Sequence, residues 1–253
     1  MNKAEWKKYY FNYQKNLASK YYIPLIEKLD IEIKNKNILD VGCGDGGFIT
    51  AFSEKKAITT GIEIKDFNWD PKSKVNFVVG NIINDPIKLD DECFDIIIIR
   101  DVIEHIKKEE KEVFLKKIHD MIGENGVLFV TFPPFYSPFG LHQQVFCKSK
   151  LKYIPFLSLL PQSLLKIILY LFKEDEYTIN ELIDIKSCAM TIRQFVKLIK
   201  KLDYIVKYQK YYFIRPSHEL RYGMKTKTSY FGKFPLVREF FVTGTVFVLK
   251  KLK

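Results

Sequence analysis

The chain has 253 residues, 47% of them hydrophobic, and a formal net charge of +11. That length and apolar content suffice for one α/β domain of about 200 residues with insertions, and no repeat or low-complexity tract appears. The four cysteines are widely separated and lack the spacing of metal ligands, so we expect reduced thiols, no metal centre and a cytoplasmic protein.

The first 36 residues carry eight lysines against four acids and contain no apolar run, so we expect no secretory signal. Aromatic residues lie among these charges: Trp6, Tyr9, Tyr10, Phe11, Tyr13, Tyr21 and Tyr22. Aromatics among cations suit a nucleic acid, a phosphorylated sugar or a membrane surface. They suit equally a helix that covers a ligand pocket. We interpret residues 1–36 as an N-terminal helical cap and leave the partner open.

The segment from Ile38 to Phe48 combines a buried strand, a glycine turn and the start of a helix. Its apolar residues are typical of a central parallel strand. Four glycines follow, and they let the backbone turn sharply and approach a ligand: Gly42, Gly44, Gly46 and Gly47. The helix that follows presents free amides to that ligand.

Two cofactor classes fit this turn. Gly42, Gly44 and Gly47 match the dinucleotide fingerprint, with Glu63 near the distance of a ribose-binding acid. Asp40 separates the two classes, because a carboxylate just before the turn suits a ligand with a cationic end better than a pyrophosphate. The Asp-x-Gly-x-Gly pattern as a whole resembles motif I of class I S-adenosylmethionine-dependent methyltransferases.

The resemblance continues along residues 37–135, which we interpret as a core that binds S-adenosylmethionine and releases S-adenosylhomocysteine. It implies that Glu63, ending a second strand, accepts hydrogen bonds from both ribose hydroxyls and that Ile64 packs on adenine. After a third strand, Val75–Val79, the family's acidic residue near the adenine amino group is replaced by Asn81, whose amide oxygen can still accept. The cofactor-binding residues that the resemblance implies are Asp40, Gly42, Cys43, Gly44, Glu63, Ile64, Asn81, Ile82, Arg100 and Val102.

A fourth apolar strand, Cys93–Arg100, leads into Asp101-Val-Ile-Glu-His105. This segment resembles the turn that closes the methionine end of the cofactor in the same family. The resemblance implies a place for His105 near the methyl-transfer region, where we assign it first a structural role. Glu104 is interpreted as a surface helix residue.

A fifth strand, Val127–Phe132, follows the turn Gly123–Gly126 and enters a loop on the substrate side. In this loop His142 lies near Tyr136 and is our candidate catalytic base, because its unperturbed pKa is near neutrality. The alternative is that His142 orients the substrate or caps the loop. Together with His105 and Tyr136 it forms the candidate catalytic set.

Residues 136–190 read as a substrate-side insertion or lid. Their apolar centre, Tyr153–Phe172, has about the length of a membrane span, but prolines, Gln162 and Lys166 interrupt it. We therefore expect a short helix from Gln162 to Phe172 that either caps the site or lies in a lipid interface.

Residues 191–253 complete the same domain with a helix over Thr191–Leu202 and strands over Tyr204–Ile214 and Phe240–Leu249. Thirteen Lys or Arg against three acids make residues 200–253 strongly basic. The resemblance implies an α/β fold: a three-layer, doubly wound, Rossmann-like sheet of seven mostly parallel strands, with the antiparallel last strand between the fifth and sixth.

Three functions remain open from the sequence. The first is a methyltransferase acting on a small molecule, a hydroxyl of a sugar or lipid-linked acceptor, because the loop, apolar insertion and basic end resemble methyltransferases of surface-polysaccharide synthesis. The second is an RNA or protein methyltransferase, suggested by the charge. The third is a non-catalytic cofactor-binding protein. A base-amine methyltransferase is disfavoured, because Phe132-Pro-Pro-Phe135 follows the fifth strand and Phe132 cannot accept a hydrogen bond.

Overall fold

The computed structural model describes residues 2–87, 89 and 93–252. Met1, the first residue of the predicted N-terminal cap, and Lys253, the last residue of the predicted C-terminal part, lie outside the described residues. The strands are β1 Asn37–Val41, β2 Ile58–Glu63, β3 Asn76–Val79, β4 Phe94–Arg100, β5 Ile122–Phe132, β6 Tyr204–Ile214, β7 Lys227–Thr228 and β8 Gly244–Lys251. The α-helices are α1 Lys3–Leu17, α2 Ile23–Lys28, α3 Gly47–Glu54, α4 Lys111–Met121, α5 Gln143–Phe146, α6 Gln162–Leu171, α7 Glu176–Cys188, α8 Ile192–Lys201, α9 Pro216–Tyr222 and α10 Arg238–Phe241.

All of these strands join one sheet in the order β3-β2-β1-β4-β5-β8-β6-β7. From β3 to β5 the neighbours are parallel, and β8 runs antiparallel to both β5 and β6. The predicted doubly wound sheet is therefore confirmed, including the late strand between the fifth and sixth. The two-residue strand β7 pairs with the end of β6 and is an edge addition to the seven predicted strands.

One local prediction was wrong. The residues Gly123–Gly126 lie inside β5, which starts at Ile122, and the register with β4 shifts there. The extra residues form an irregularity within the β4–β5 pair, and they do not form a turn before β5. The segment Arg215–Gly223, between the predicted sixth and last strands, contains helix α9.

The continuous apolar run of β4 follows from burial on both faces of the sheet. Ile97 and Ile99 pack in one cluster with α4 and α8, whereas Ile96 and Ile98 pack in the other with α1 and α3. Successive strand residues point to opposite faces, so a strand covered on both sides needs apolar residues at every position. A third buried cluster belongs to residues 135–189 and joins α6 and α7.

Helix α8 begins at a capping box. The Thr191 side chain accepts from the backbone N–H of Gln194, and the Gln194 side chain accepts from the N–H of Thr191. We expect Thr191→Ala to lower the free energy of unfolding by about 1 kcal/mol, because one of these caps is lost. Urea denaturation would measure this, with Ser163→Ala at an exposed position of α6 as the control. Equal stability of the two variants would contradict the capping role.

Candidate functional site

The glycine turn after β1 is shaped by positive backbone angles. Gly42 has φ +73°, and a Cβ added there would lie 2.4 Å from Cγ2 of Val102. Gly44 has φ +55°, and an added Cβ would meet nothing within 4 Å. The turn therefore needs glycine at position 42 for both conformation and close packing. At Gly44 the need is conformational, and the space beside it is open.

Glu63 at the end of β2 ties this turn to the next strand. Its Oε2 accepts a hydrogen bond from the N–H of Gly44 at 3.0 Å, and its Oε1 accepts from the N–H of Ile64 at 2.8 Å. Each carboxylate oxygen has a further acceptor position, so the side chain is held in place while it can still bind a ligand.

Trp69 supports the same turn from the loop after β2. It was not among the predicted site residues. Its indole N–H donates to the carbonyl of Gly44 at 2.9 Å, and its ring stacks on Phe77 at 4.6 Å. A tryptophan in a loop gives no sequence signal for this role, because the contact crosses 25 residues of chain.

A cavity of about 410 Å³ opens at the carboxyl ends of β1, β2 and β4. This is the point at which the strand order reverses, where open α/β sheets bind ligands, and the volume is in the range of small-molecule sites. Six of the ten predicted cofactor residues line it, together with His105: Gly42, Glu63, Ile64, Asn81, Ile82 and Val102. Nine further lining residues were not among the predicted cofactor residues: Val41, Ile62, Gly80, Ile83, Asp101, Ile106, Lys107, Glu110 and Phe114.

The other four predicted cofactor residues, Asp40, Cys43, Gly44 and Arg100, are not part of this lining. Asp40 is buried, and burial raises the pKa of its carboxyl to about 7, opposed by Arg100 and assisted by Glu63. A cationic ligand group nearby would favour its ionised form. Cys43 is also buried, and Gly44 contributes its amide to Glu63.

The turn after β3, which the resemblance assigns to adenine, is held by its own hydrogen bonds. The amide oxygen of Asn81 accepts from the N–H of Ile83 at 2.9 Å, and the N–H of Asn81 donates to Asp85 at 2.6 Å. The Asn81 side chain is therefore fixed at the cavity wall, and its oxygen keeps one further acceptor position.

Ion pairs join the end of β4 to the end of β6. The Asp101 carboxylate lies 3.2 Å from Nη1 of Arg215 and 3.8 Å from Nη1 of Arg100. Burial opposes ionisation of Asp101, but Arg215 and then Arg100 favour it, and the pKa of Asp101 is lowered. Asp101 also has φ +54°, so the chain turns sharply as it leaves β4.

The candidate catalytic histidines meet beside Glu104. Their ring centroids are 5.3 Å apart, and Nε2 of His142 lies 3.7 Å from Oε1 of Glu104. The interpretation of Glu104 as a surface residue was wrong, because the residue is 4% exposed. Burial is the main reason that its pKa is raised well above the usual value. No sequence signal placed Glu104 beside His142.

The two histidines face different spaces. His105 lines the large cavity, whereas His142 lines a smaller one beside Arg215, His218 and Arg221. Burial lowers the pKa of His142 to about 3, with His105 and Arg215 acting in the same direction, so its imidazole is neutral.

The ring contacts of Tyr136 are with two phenylalanines and not with the two histidines. Its ring packs edge-on against Phe135 at 5.2 Å and stacks on Phe240 at 5.9 Å. The aromatic contacts join the substrate-side loop to α10.

Comparisons with known proteins agree with this geometry. The family model described as a methyltransferase domain matches residues 13–159. Norajmaline N-methyltransferase from Rauvolfia serpentina is 32% identical in an alignment of 93 positions that covers 31% of this chain and 30% of that protein. A ubiquinone biosynthesis O-methyltransferase from Coxiella burnetii is 28% identical in an alignment of 107 positions that covers 39% of this chain and 44% of that protein. The chain thus spans less than half the length of these curated relatives.

Solved structures share the fold over most of their length. The plantazolicin methyltransferase BpumL, in complex with S-adenosylhomocysteine, has a TM-score of 0.58 at 14% identity over 98% of this chain and 88% of that one. The magnesium protoporphyrin IX methyltransferase of Synechocystis PCC 6803, with the same molecule bound, has a TM-score of 0.53 at 13% identity over 100% and 89%.

Proposed function

The chain belongs to the methyltransferase-domain family, and on that premise we propose that it transfers the methyl group of S-adenosylmethionine to a hydroxyl of a small-molecule acceptor, a sugar or a lipid-linked compound. The observation that carries the proposal is the cavity at the strand crossover, which joins Gly42 and Glu63 on one side to His105 on the other. Cofactor groups and a reacting centre can therefore be placed in one continuous site.

The residues of the cavity suit S-adenosylmethionine group by group. Glu63 offers two carboxylate oxygens to the ribose hydroxyls, and Ile64 and Ile82 offer apolar surface to adenine. Asp40 lies buried behind the turn, where a cationic amino group would stabilise its charge. When bound, the cofactor supplies a methyl group already activated by a sulfonium.

The protein's own part is to orient the acceptor and to exclude water around it. We propose that the acceptor hydroxyl lies by His105 and His142, with Tyr136 on the substrate-side loop bordering its entrance. His142 was predicted to take the hydroxyl proton. A pKa near 3 makes the His142 imidazole a weak base. Its neutral nitrogen is therefore better suited to binding another group than to taking a proton.

An exposed apolar surface on α6 favours a lipid-linked acceptor. Among the described residues, no helix has the length and apolar character to cross a bilayer. Helix α6 nevertheless buries Leu165 and Leu169 and turns other large side chains to solvent: Leu164, Ile167, Tyr170 and Leu171, followed by Phe172. Such a surface fits shallow contact with a lipid interface.

We expect the protein to sediment with vesicles that contain anionic phosphatidylglycerol and the double variant Ile167→Glu/Leu171→Glu to remain in the supernatant. Both side chains are more than half exposed, so the fold should tolerate the change. Val113→Glu, an exposed position on α4, is the control and should sediment as the wild type does. If the wild type does not sediment with these vesicles, lipid contact is ruled out and α6 is interpreted only as a lid over the site.

Calorimetry tests the proposed function. We expect S-adenosylmethionine and S-adenosylhomocysteine to bind at micromolar concentration and NAD to give no heat. Acceptors would then be screened with labelled methyl groups, beginning with glycans and lipid-linked sugars. Binding of NAD in place of the sulfur nucleotides would overturn the proposal.

A further inference from the structure

Glu104, His105 and His142 form a cluster of metal-ligating groups, which we name the EHH cluster. Glu104 and His105 lie in a single 3-10 turn, Ile103–His105, and His142 lies just before α5. Each residue offers one ligand atom, and these atoms all lie within 4.8 Å of one another. Two chain segments that are far apart in sequence thus converge on one point.

The cluster contains buried polar atoms that have no hydrogen-bond partner among the described residues. These atoms are both carboxylate oxygens of Glu104 and Nε2 of His142. The Glu104 side chain is 5% exposed and the His142 side chain 13%. Buried polar atoms are nearly always paired, because an unpaired one loses its hydration without compensation. One cation bound among these atoms would compensate for the hydration that each of them has lost.

Among the described residues, two cations that act on Glu104, Arg215 and Lys111, are held by other groups. Arg215 donates to Asp101 at 3.2 Å. Lys111, on the first turn of α4, donates to the carbonyl oxygen of Ile106 at 2.7 Å and also to that of Ile103. Neither makes an ion pair with Glu104, so the carboxyl group faces the two imidazoles.

We propose that the EHH cluster binds one divalent transition-metal cation. Two imidazole nitrogens and one carboxylate are a common ligand set for Zn²⁺ and related first-row cations. Atoms bound to one such cation at about 2.0–2.2 Å lie roughly 3–3.5 Å apart, so a separation of 4.8 Å would have to shorten by about 1.3–1.8 Å on binding. Three protein ligands leave coordination positions open to a substrate.

The place of the cation gives it a chemical role, and this role rests on the proposed function. His105 lines the cofactor cavity and His142 lines the adjoining space, so the cation lies between them. There it can orient the acceptor hydroxyl and make it more acidic. The oxygen forms its bond to the methyl carbon, the carbon–sulfur electron pair passes to sulfur, and the hydroxyl proton leaves to water. His142 then holds the cation instead of taking the proton.

A cobalt titration tests the site without any acceptor. Metal-free full-length protein is titrated with Co²⁺, and visible absorption and calorimetry report the binding. We expect one Co²⁺ per chain and at least about a tenfold loss of affinity in Glu104→Gln and in His142→Ala. His119→Gln on α4, outside the cluster, is the control and should bind as the wild type does. Thermal melting of each variant verifies that it is folded.

The outcomes separate the two proposals. No Co²⁺ binding by the wild type, or undiminished binding by folded Glu104→Gln, would overturn the metal site whether or not S-adenosylhomocysteine binds. Co²⁺ binding that depends on the cluster, in a protein that does not bind S-adenosylhomocysteine, would support the metal site and overturn the proposed methyl transfer.

Discussion

Replacement of Glu63 by alanine is expected to weaken S-adenosylhomocysteine binding by about 100-fold. The carboxylate lines the cavity and is fixed by the amides of Gly44 and Ile64. Its loss removes two acceptors for the ribose hydroxyls, and hydrogen bonds to a charged group are worth about 1.5–3 kcal/mol each. Loss of about 3 kcal/mol corresponds to that hundredfold change, which calorimetry would measure.

A matched acid separates this effect from a general change of charge. Glu27 on α2 is exposed and pairs with Lys55, so Glu27→Ala should bind S-adenosylhomocysteine as the wild type does. Glu63→Gln keeps one oxygen acceptor and should bind with an affinity between those of the wild type and Glu63→Ala. An unchanged dissociation constant in Glu63→Ala would show that the ribose lies elsewhere.

The part of the candidate site built by the glycine turn and Glu63 was predictable because its signals are local. The glycine turn follows its strand directly, and Glu63 ends the next strand, so parallel pairing of β1 with β2 brings the two together. The periodicity of α8 and the unbroken apolar run of β4 likewise report burial over a few residues. Each of these predictions needed only a short segment and the rule that parallel strands end at one edge of a sheet.

The part of the candidate site around Glu104 and His142 was not predictable in the same way. Glu104 and His142 are 38 positions apart, and their meeting depends on how the loop after β5 folds back over the 3-10 turn. The apolar run around α6 indicated a helix but not its orientation. Leu165 is fully buried, whereas Ile167 two positions later is exposed.

The ion pair between Asp101 and Arg215 should contribute strongly to stability. It joins β4 to the end of β6, and the two side chains are 25% and 17% exposed. Breaking a fully buried pair costs about 3–5 kcal/mol, because one charge is left uncompensated, so we expect about 2–3 kcal/mol here. Asp101→Asn is the suitable variant, since asparagine tolerates the positive φ at this position. The melting temperature should fall by about 8 °C.

A double-mutant cycle distinguishes the pair from its surroundings. Arg215→Met removes the other charge, and Asp101→Asn/Arg215→Met should be less destabilised than the sum of the two single variants, because no guanidinium is then left facing a neutral partner. Glu54→Ala, which breaks an exposed pair with Lys15, should cost less than about 1 kcal/mol. Additive effects in the cycle would contradict the coupling, because Arg100 would then be the partner that matters to Asp101.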